Sequence, residues 1–227
     1  MRFVSFFAGI GGFDLGLERA GHECVGQVEI DPYAIRVLER HWPDVPRFGD
    51  IRTLAAASLP DADLWCGGFP CQPYSRANVA TRGHHHAAFI WPAFACLVRT
   101  AKPKRLLLEN VAAIRAKDGG LERVVYDLAE SGYVGSWASL RSDEFGAPFK
   151  GERIYIAATY CDGESDQSEH DEVAVLSCFS PTIRDWPDSP DHLGMDDGFP
   201  GRTHRNRLVG NAVVPQVVEA IARKVWG

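Results

Sequence analysis

The sequence predicts an α/β domain with a mainly parallel sheet. Short apolar runs alternate with stretches of helical periodicity, two of the apolar runs lead directly into glycine-containing turns, and no internal repeat interrupts the alternation. A chain of 227 residues with 45% hydrophobic side chains suits one large domain, or one domain with a small appendage. Residues Arg2–Phe7 form a strand entering Ala8-Gly9-Ile10-Gly11-Gly12, and Phe13–Ala20 is a helix that stops at Gly21. Val25–Ile30 is a second strand. Asp31 caps the next helix, Pro32 takes its first position, and Tyr33–His41 buries Ala34, Val37, Leu38 and His41. Asp63–Cys66 and Arg105–Leu108 are buried strands, each followed by polar or glycine-containing sequence of the kind that forms sites at strand ends. Leu121–Ser131 is a helix, and Val134–Leu140 and Arg153–Tyr160 are strands. From residue 161 to 206 the chain turns polar, acidic and proline-containing, without a periodic run, as expected of a small irregular region. Val213–Val225 then spaces Val214, Val217, Val218, Ile221, Ala222 and Val225 along one helical face, which needs a core to pack on.

Charge and cysteine usage narrow the function classes. The net charge of −6 argues against a nucleic-acid partner at first sight. Yet residues 162–197 carry eleven acids and one base, net −10, which leaves +4 for the rest, and a mildly basic body is compatible with DNA binding. No run approaches the roughly 20 apolar residues that cross a bilayer, and the opening residues lead into glycines rather than a signal-peptide core, so an intracellular, cytoplasmic protein without membrane contact is expected. The six cysteines contain no C-x-x-C pair, which disfavours a zinc ribbon and a disulfide framework. Adjacent His84, His85 and His86 cannot all face one ion, so no metal is expected.

Four clusters carry chemistry. Glycines after the first strand let backbone N–H groups approach a nucleotide-like ligand, and Glu29, 20 residues after Gly9, has the spacing of a carboxylate that grips ribose hydroxyls. No Lys-Ser/Thr follows, so this is not a triphosphate loop. In Gly67-Gly68-Phe69-Pro70-Cys71-Gln72-Pro73-Tyr74-Ser75, two prolines hold a cysteine on a rigid turn after a buried strand, a setting that suits a reactive thiolate. Leu106-Leu107-Leu108-Glu109-Asn110-Val111 delivers a carboxyl to the end of a hydrophobic strand, where desolvation lets it keep a proton to donate. Gly210-Asn211-Ala212 precedes the last helix.

In this order the clusters resemble the DNA (cytosine-5) methyltransferase family of the bacterial and phage kind. The resemblance runs through Phe7–Gly12, Glu29-Ile30-Asp31, Gly49-Asp50-Ile51, Pro70-Cys71-Gln72, Glu109-Asn110-Val111, Gly146-Ala147-Pro148 to Glu152-Arg153, and Gly210-Asn211, and so covers most of the chain. It implies a Rossmann-like class I S-adenosylmethionine-dependent methyltransferase fold with a small irregular target-recognition region. Residues 1–160 would be the catalytic domain, 161–206 the recognition region, and 207–227 a helix completing the catalytic domain. S-adenosylmethionine would be the methyl donor, held by Phe7, Gly9, Gly11, Gly12, Glu29, Ile30, Asp50, Ile51, Pro70, Asn211 and Ala212. Cys71 would attack C6 of a cytosine flipped from duplex DNA, Glu109 would protonate or hydrogen-bond N3, and Arg153 would hold Glu109 and the base. Gln72, Ser75, Asn110, Arg202 and Arg205 would contact DNA. The family's Gln-x-Arg-x-Arg pattern stands here as Phe149-Lys150-Gly151-Glu152-Arg153, lacking the Gln and the first Arg, with Lys150 as a partial substitute. The short acidic recognition region implies a reduced set of DNA contacts, with sequence specificity either loose or supplied by a protein partner; a monomer is expected. Two alternatives stay open: an RNA cytosine-5 methyltransferase, and a catalytically weak DNA-binding or partner subunit.

Overall fold

The computed structural model describes residues 1–70, 90–116, 120–161 and 212–226. In chain order these form β1 (Arg2–Phe6), α1 (Gly12–Arg19), β2 (Glu23–Val28), α2 (Pro32–His41), β3 (Arg47–Phe48), β4 (Leu64–Gly68), α3 (Trp91–Ala101), β5 (Arg105–Val111), α4 (Leu121–Glu130), β6 (Tyr133–Arg141), β7 (Glu152–Tyr160) and α5 (Pro215–Trp226). The sheet order is β3-β2-β1-β4-β5-β7-β6. The first five of these are mutually parallel, and β7 runs antiparallel to both β5 and β6. Strand order reverses between β1 and β4, so the crevice beyond their carboxyl ends is the switch point at which such sheets bind ligands. The glycine turn after β1 and the Phe69-Pro70 turn after β4 both open there.

Phe3, Val4 and Phe6 are wholly buried, because β1 lies at the centre of the sheet with helices on both faces. On one face α3 and α4 contribute Trp91, Phe94, Val98, Leu121, Val124 and Leu128. On the other, α1 and α5 contribute Phe13, Leu17, Val217, Val218, Ile221, Ala222 and Val225. Burial of each such large aliphatic side chain contributes roughly 1.5–3 kcal/mol, which easily outweighs the weak helix propensity of a valine-rich segment like α5. α5 lies tight on α1 at Gly16, where any Cβ would stand 2.6 Å from both the Pro215 carbonyl oxygen and Val218 Cβ.

At the start of α2 the Asp31 carboxylate accepts the Tyr33 N–H at 2.8 Å with Pro32 in the first turn, as the sequence predicts. The α2 face is narrower than expected: Ala34 and Leu38 are buried, Val37 is partly covered, and His41 is exposed in the last turn. α3 and the two-residue β3 are additions to the predicted elements, and β5 runs on to Val111. The region 162–206 lies outside the described residues. Among the described residues no helix is long and apolar enough to cross a membrane.

Under α1 the fold buries a carboxyl. Asp14, fully inaccessible, accepts hydrogen bonds from Ser5 Oγ at 2.9 Å, Gln27 Nε2 at 2.7 Å and Cys24 Sγ at 3.3 Å. Loss of hydration raises its pKa from 3.8 against the opposing effect of these donors, first among them Gln27. A carboxyl with a raised folded pKa takes up a proton on folding. Its stabilising effect is therefore complete below about pH 4 and is lost as the pH rises through the folded pKa. Asp14→Asn removes this titration, so its unfolding free energy should fall less steeply than the wild type's between pH 4 and 8. Urea melts across that range would show it, and parallel curves would mean that Asp14 binds no extra proton on folding.

Candidate functional site

Two groups of side chains meet at the switch point. The first surrounds a cavity of about 320 Å³ lined by Phe7, Val28, Glu29, Ile30, Gly49, Asp50, Ile51, Arg52, Pro70 and Ile90. The ends of β1, β2 and β3 and the turn after β4 thus bring Phe7, Glu29, Ile30, Asp50, Ile51 and Pro70 around one space, as their sequence motifs suggest. Phe7 has φ +53, a left-handed conformation rare for a bulky residue, and its ring packs edge-on against Phe94 with centroids 5.8 Å apart.

Among the described residues, the Glu29 carboxylate is held by backbone N–H groups. One oxygen accepts the Gly9 N–H at 2.7 Å, and the other accepts those of Ile30 and Asp31, both at 2.8 Å. A carboxylate has about four acceptor positions, so the described residues leave one, on the oxygen that Gly9 holds. Asp50 is held from one side by Arg52, whose backbone N–H and Nε each donate to it at 2.9 Å and whose Nη2 lies 2.5 Å away. The Arg52 guanidinium holds the Asp50 carboxyl down to about 2. Val28, Gly49, Arg52 and Ile90 also line the cavity; Gly49 opens the Gly49-Asp50-Ile51 motif, whereas no pattern in the sequence marks Arg52 or Ile90.

Gly11 and Gly12 face the chain's own packing: a Cβ on Gly11 would meet the Trp42 ring at 2.4 Å, and one on Gly12 the Val213 carbonyl oxygen at 2.3 Å. Ala212, next to Val213, is half-buried at this end of the sheet.

The second group centres on Glu109, which is 7% exposed. Because β7 is antiparallel to β5, its first residues meet the end of β5: Val111 pairs with Arg153 and Glu109 with Tyr155. Arg153 is then a diagonal neighbour of Glu109, and its Nε lies 3.0 Å from Glu109 Oε1. The other flank is Gly68, the register partner of Glu109 on β4, where a Cβ would sit 2.8 Å from Glu109 Oε2 and 3.4 Å from Val213 Cγ2. Only a glycine there leaves room for the carboxyl. Burial pushes the Glu109 pKa from 4.5 up to about 7, with Arg153 pulling in the opposite direction. Desolvation prevails, and the group holds its proton to near neutrality.

Asn110 stands elsewhere than its motif suggests. It is buried, its Nδ2 donates to the Phe69 carbonyl at 2.8 Å, and its Oδ1 accepts the Val111 N–H at 2.9 Å, so both ends of the amide serve the chain's own backbone. Gly151, where the related pattern has its first arginine, accepts two bonds at 2.9 Å from Ser142 through its carbonyl. Phe149 is half-exposed and Lys150 exposed. Glu152 pairs with Arg115 at 2.7 Å and accepts a hydrogen bond from Ser139 Oγ. Cys71, Gln72, Ser75, Arg202, Arg205 and Asn211 lie outside the described residues. Among the described residues no group of three or more His, Cys, Asp or Glu side chains can hold a metal.

Comparison with known proteins gives the same direction. The chain is 37% identical over 199 residues to the type II methyltransferase M.HhaI of Haemophilus parahaemolyticus, covering 86% of this chain and 60% of that protein. It is 35% identical over 158 residues to the type II methyltransferase M.DsaV of Dactylococcopsis salina, covering 69% of this chain and 45% of that one. It thus spans about half the length of the relatives it matches. Among solved structures, an Escherichia coli prophage protein assigned as a DNA modification methyltransferase superposes with a TM-score of 0.64 at 24% identity, over 84% of this chain and 56% of that one. A DNMT2 variant from Spodoptera frugiperda gives 0.60 at 19% identity, over 72% and 51%. These two likenesses establish the Rossmann-like methyltransferase fold. The model of the C-5 cytosine-specific DNA methylase family matches residues 1–196, and the chain belongs to that family.

Proposed function

We propose that this chain transfers a methyl group from S-adenosylmethionine to C5 of cytosine in duplex DNA, in restriction protection or phage DNA modification within a bacterial or phage-infected cytoplasm. The observation that carries this reading is the pairing of a proton-holding carboxyl, Glu109 against Arg153, with the Phe69-Pro70 turn that leads into Cys71, beside a cavity edged by Glu29 and Asp50. The residues at the cavity fit the donor: among the described residues Glu29 has one acceptor position left for a ribose hydroxyl, Asp50 would take the adenine amino group in exchange for part of its contact with Arg52, and Phe7, Ile30 and Ile51 give apolar walls. Gly9, Gly11, Gly12, Pro70, Asn211 and Ala212 complete the set that would hold it. When bound, S-adenosylmethionine supplies an electrophilic methyl group on a sulfonium.

Cytosine C5 is a poor nucleophile, and the chain's residues would overcome this. The Cys71 thiolate forms a bond to C6, which moves electron density towards C5. Glu109 gives its proton to N3, or shares it, and stabilises the charge that gathers there. Arg153 keeps the carboxyl aimed and takes part in holding the base. C5 would then take the methyl, leaving the donor's sulfur as a neutral thioether; the C5 proton would pass to solvent water, N3 would return its proton to Glu109, and the C6–S bond would break to release the Cys71 thiolate. These atoms are out of reach inside a duplex, so the cytosine is flipped out. Gln72, Ser75, Arg202 and Arg205 would hold the displaced strand, the chain acting as a monomer with specificity from a protein partner.

Incubation with S-adenosylmethionine and mixed-sequence duplex DNA, with tRNA in parallel, should give 5-methylcytosine in the DNA alone by nucleoside mass spectrometry; product only in tRNA would overturn the substrate. Cys71→Ala should abolish turnover while calorimetry shows donor binding intact, and residual turnover would exclude a covalent route. The wild-type kcat/KM should decline above about pH 7 as Glu109 loses its proton. Glu109→Gln should be slower by about 100-fold or more and should lack that decline. Glu29→Gln should weaken donor binding about tenfold, and unchanged affinity would remove Glu29 from the ribose.

A further inference from the structure

The geometry points to Asn110 as a positioning residue that locks the Phe69-Pro70 turn to the end of β5, and so sets the donor-cavity wall at Pro70, from which the chain continues to Cys71, relative to Glu109. This rests on the cytosine-methylation reading above. Asn110 follows Glu109 directly, so its side chain lies on the opposite face of β5. Its amide polarity is not free to reverse. Oδ1 faces the Val111 N–H at 2.9 Å, which requires an acceptor, and Nδ2 faces the Phe69 carbonyl at 2.8 Å, which requires a donor. Asn110 itself is 2% exposed, so its amide cannot turn to water instead. Phe69 itself is pinned by packing on Trp91, with ring centroids 4.9 Å apart, and Pro70 next to it walls the cavity. Cys71 follows Pro70 in the chain. The β4–β5 register fixes Gly68 opposite Glu109, and the Asn110 bond carries that alignment one residue further, beyond the end of the strand pairing.

Asn110→Asp tests this with minimal change of shape. The introduced carboxylate still accepts from Val111 but sets a second oxygen against the Phe69 carbonyl, and the repulsion releases the turn. Methylation kcat at pH 8 should fall about 100-fold, the cost of a displacement near 1 Å, while DNA KM stays within about threefold and donor Kd, which depends on Pro70 as one of several cavity residues, weakens by about tenfold at most. Lowering the pH towards 6 should restore part of the rate relative to wild type, because the protonated carboxyl again donates to Phe69. Asn110→Ala loses the bond without repulsion; it should also be slow, show no such recovery, and serve where the aspartate variant does not fold. An unchanged kcat in a folded variant, or a loss equal at every pH in both variants, would overturn the assignment. Iodoacetamide labelling of Cys71, mapped by peptide mass spectrometry, separates this from failure of the methylation reading. Wild type without product but with a Cys71 labelling rate altered at least threefold by Asn110→Asp would refute the activity and support the positioning role; an unaltered labelling rate in such an inactive protein would refute both.

Discussion

Glu109 occupies a place where a carboxyl is poorly solvated, and much of the arrangement around the end of β5 follows from keeping it there. A fully aqueous carboxylate would release its proton, and one stripped of every partner would be too costly to bury. Among the described residues the fold takes a middle course: a guanidinium contact at 3.0 Å, a bare glycine on the neighbouring strand, and burial that removes most of the water. The antiparallel entry of β7 is needed for this balance. A parallel strand in that position would bring its carboxyl end to the site, and Arg153, its second residue, would lie at the far end of the sheet.

The switch point joins this acid to the cavity on the other side of β4. Among the described residues the turn Gly68-Phe69-Pro70 joins them and touches both: Gly68 makes space for Glu109, and Pro70 walls the cavity. Glu29 is fixed just as firmly, by three backbone N–H groups drawn from the glycine turn and its own loop. Backbone donors of this kind do not adopt alternative rotamers, so the polar side of the cavity is set by the fold itself.

Much of this was legible in the sequence because it is periodic or local. The alternation of apolar runs and helical stretches, the Asp31-Pro32 start of α2, the 20-residue interval from Gly9 to Glu29 and the leucine run before Glu109 all express rules that act over short distances. What escaped depends on partners remote in the chain. A nine-residue strand carries no mark of direction, so the antiparallel course of β7 is absent from its pattern. β3, two residues long, is too short to have one. α3 begins with Trp91-Pro92 and has an apolar surface broad enough to blur its helical period. Asp14 looks like the exposed polar residue of a short helix, and only the meeting of β1, β2 and α1 encloses it. Asn110 resembles a site residue because of its motif; its actual partner is a backbone carbonyl 41 positions earlier. Cys71, Asn211 and the region 161–206 remain expectations drawn from motif order.

The close contact between α1 and α5 bears on how the protein is made. Ribosomes add roughly 5–20 residues per second, and some 55 positions separate the end of β7 from the start of α5. For several seconds of synthesis, then, all seven strands are available to pair while the apolar surface that α5 will cover is bare. A chain stopped before residue 215 would leave Phe13 and Leu17 of α1 without the cover of Val217, Val218 and Ile221, an apolar patch of the kind that promotes aggregation.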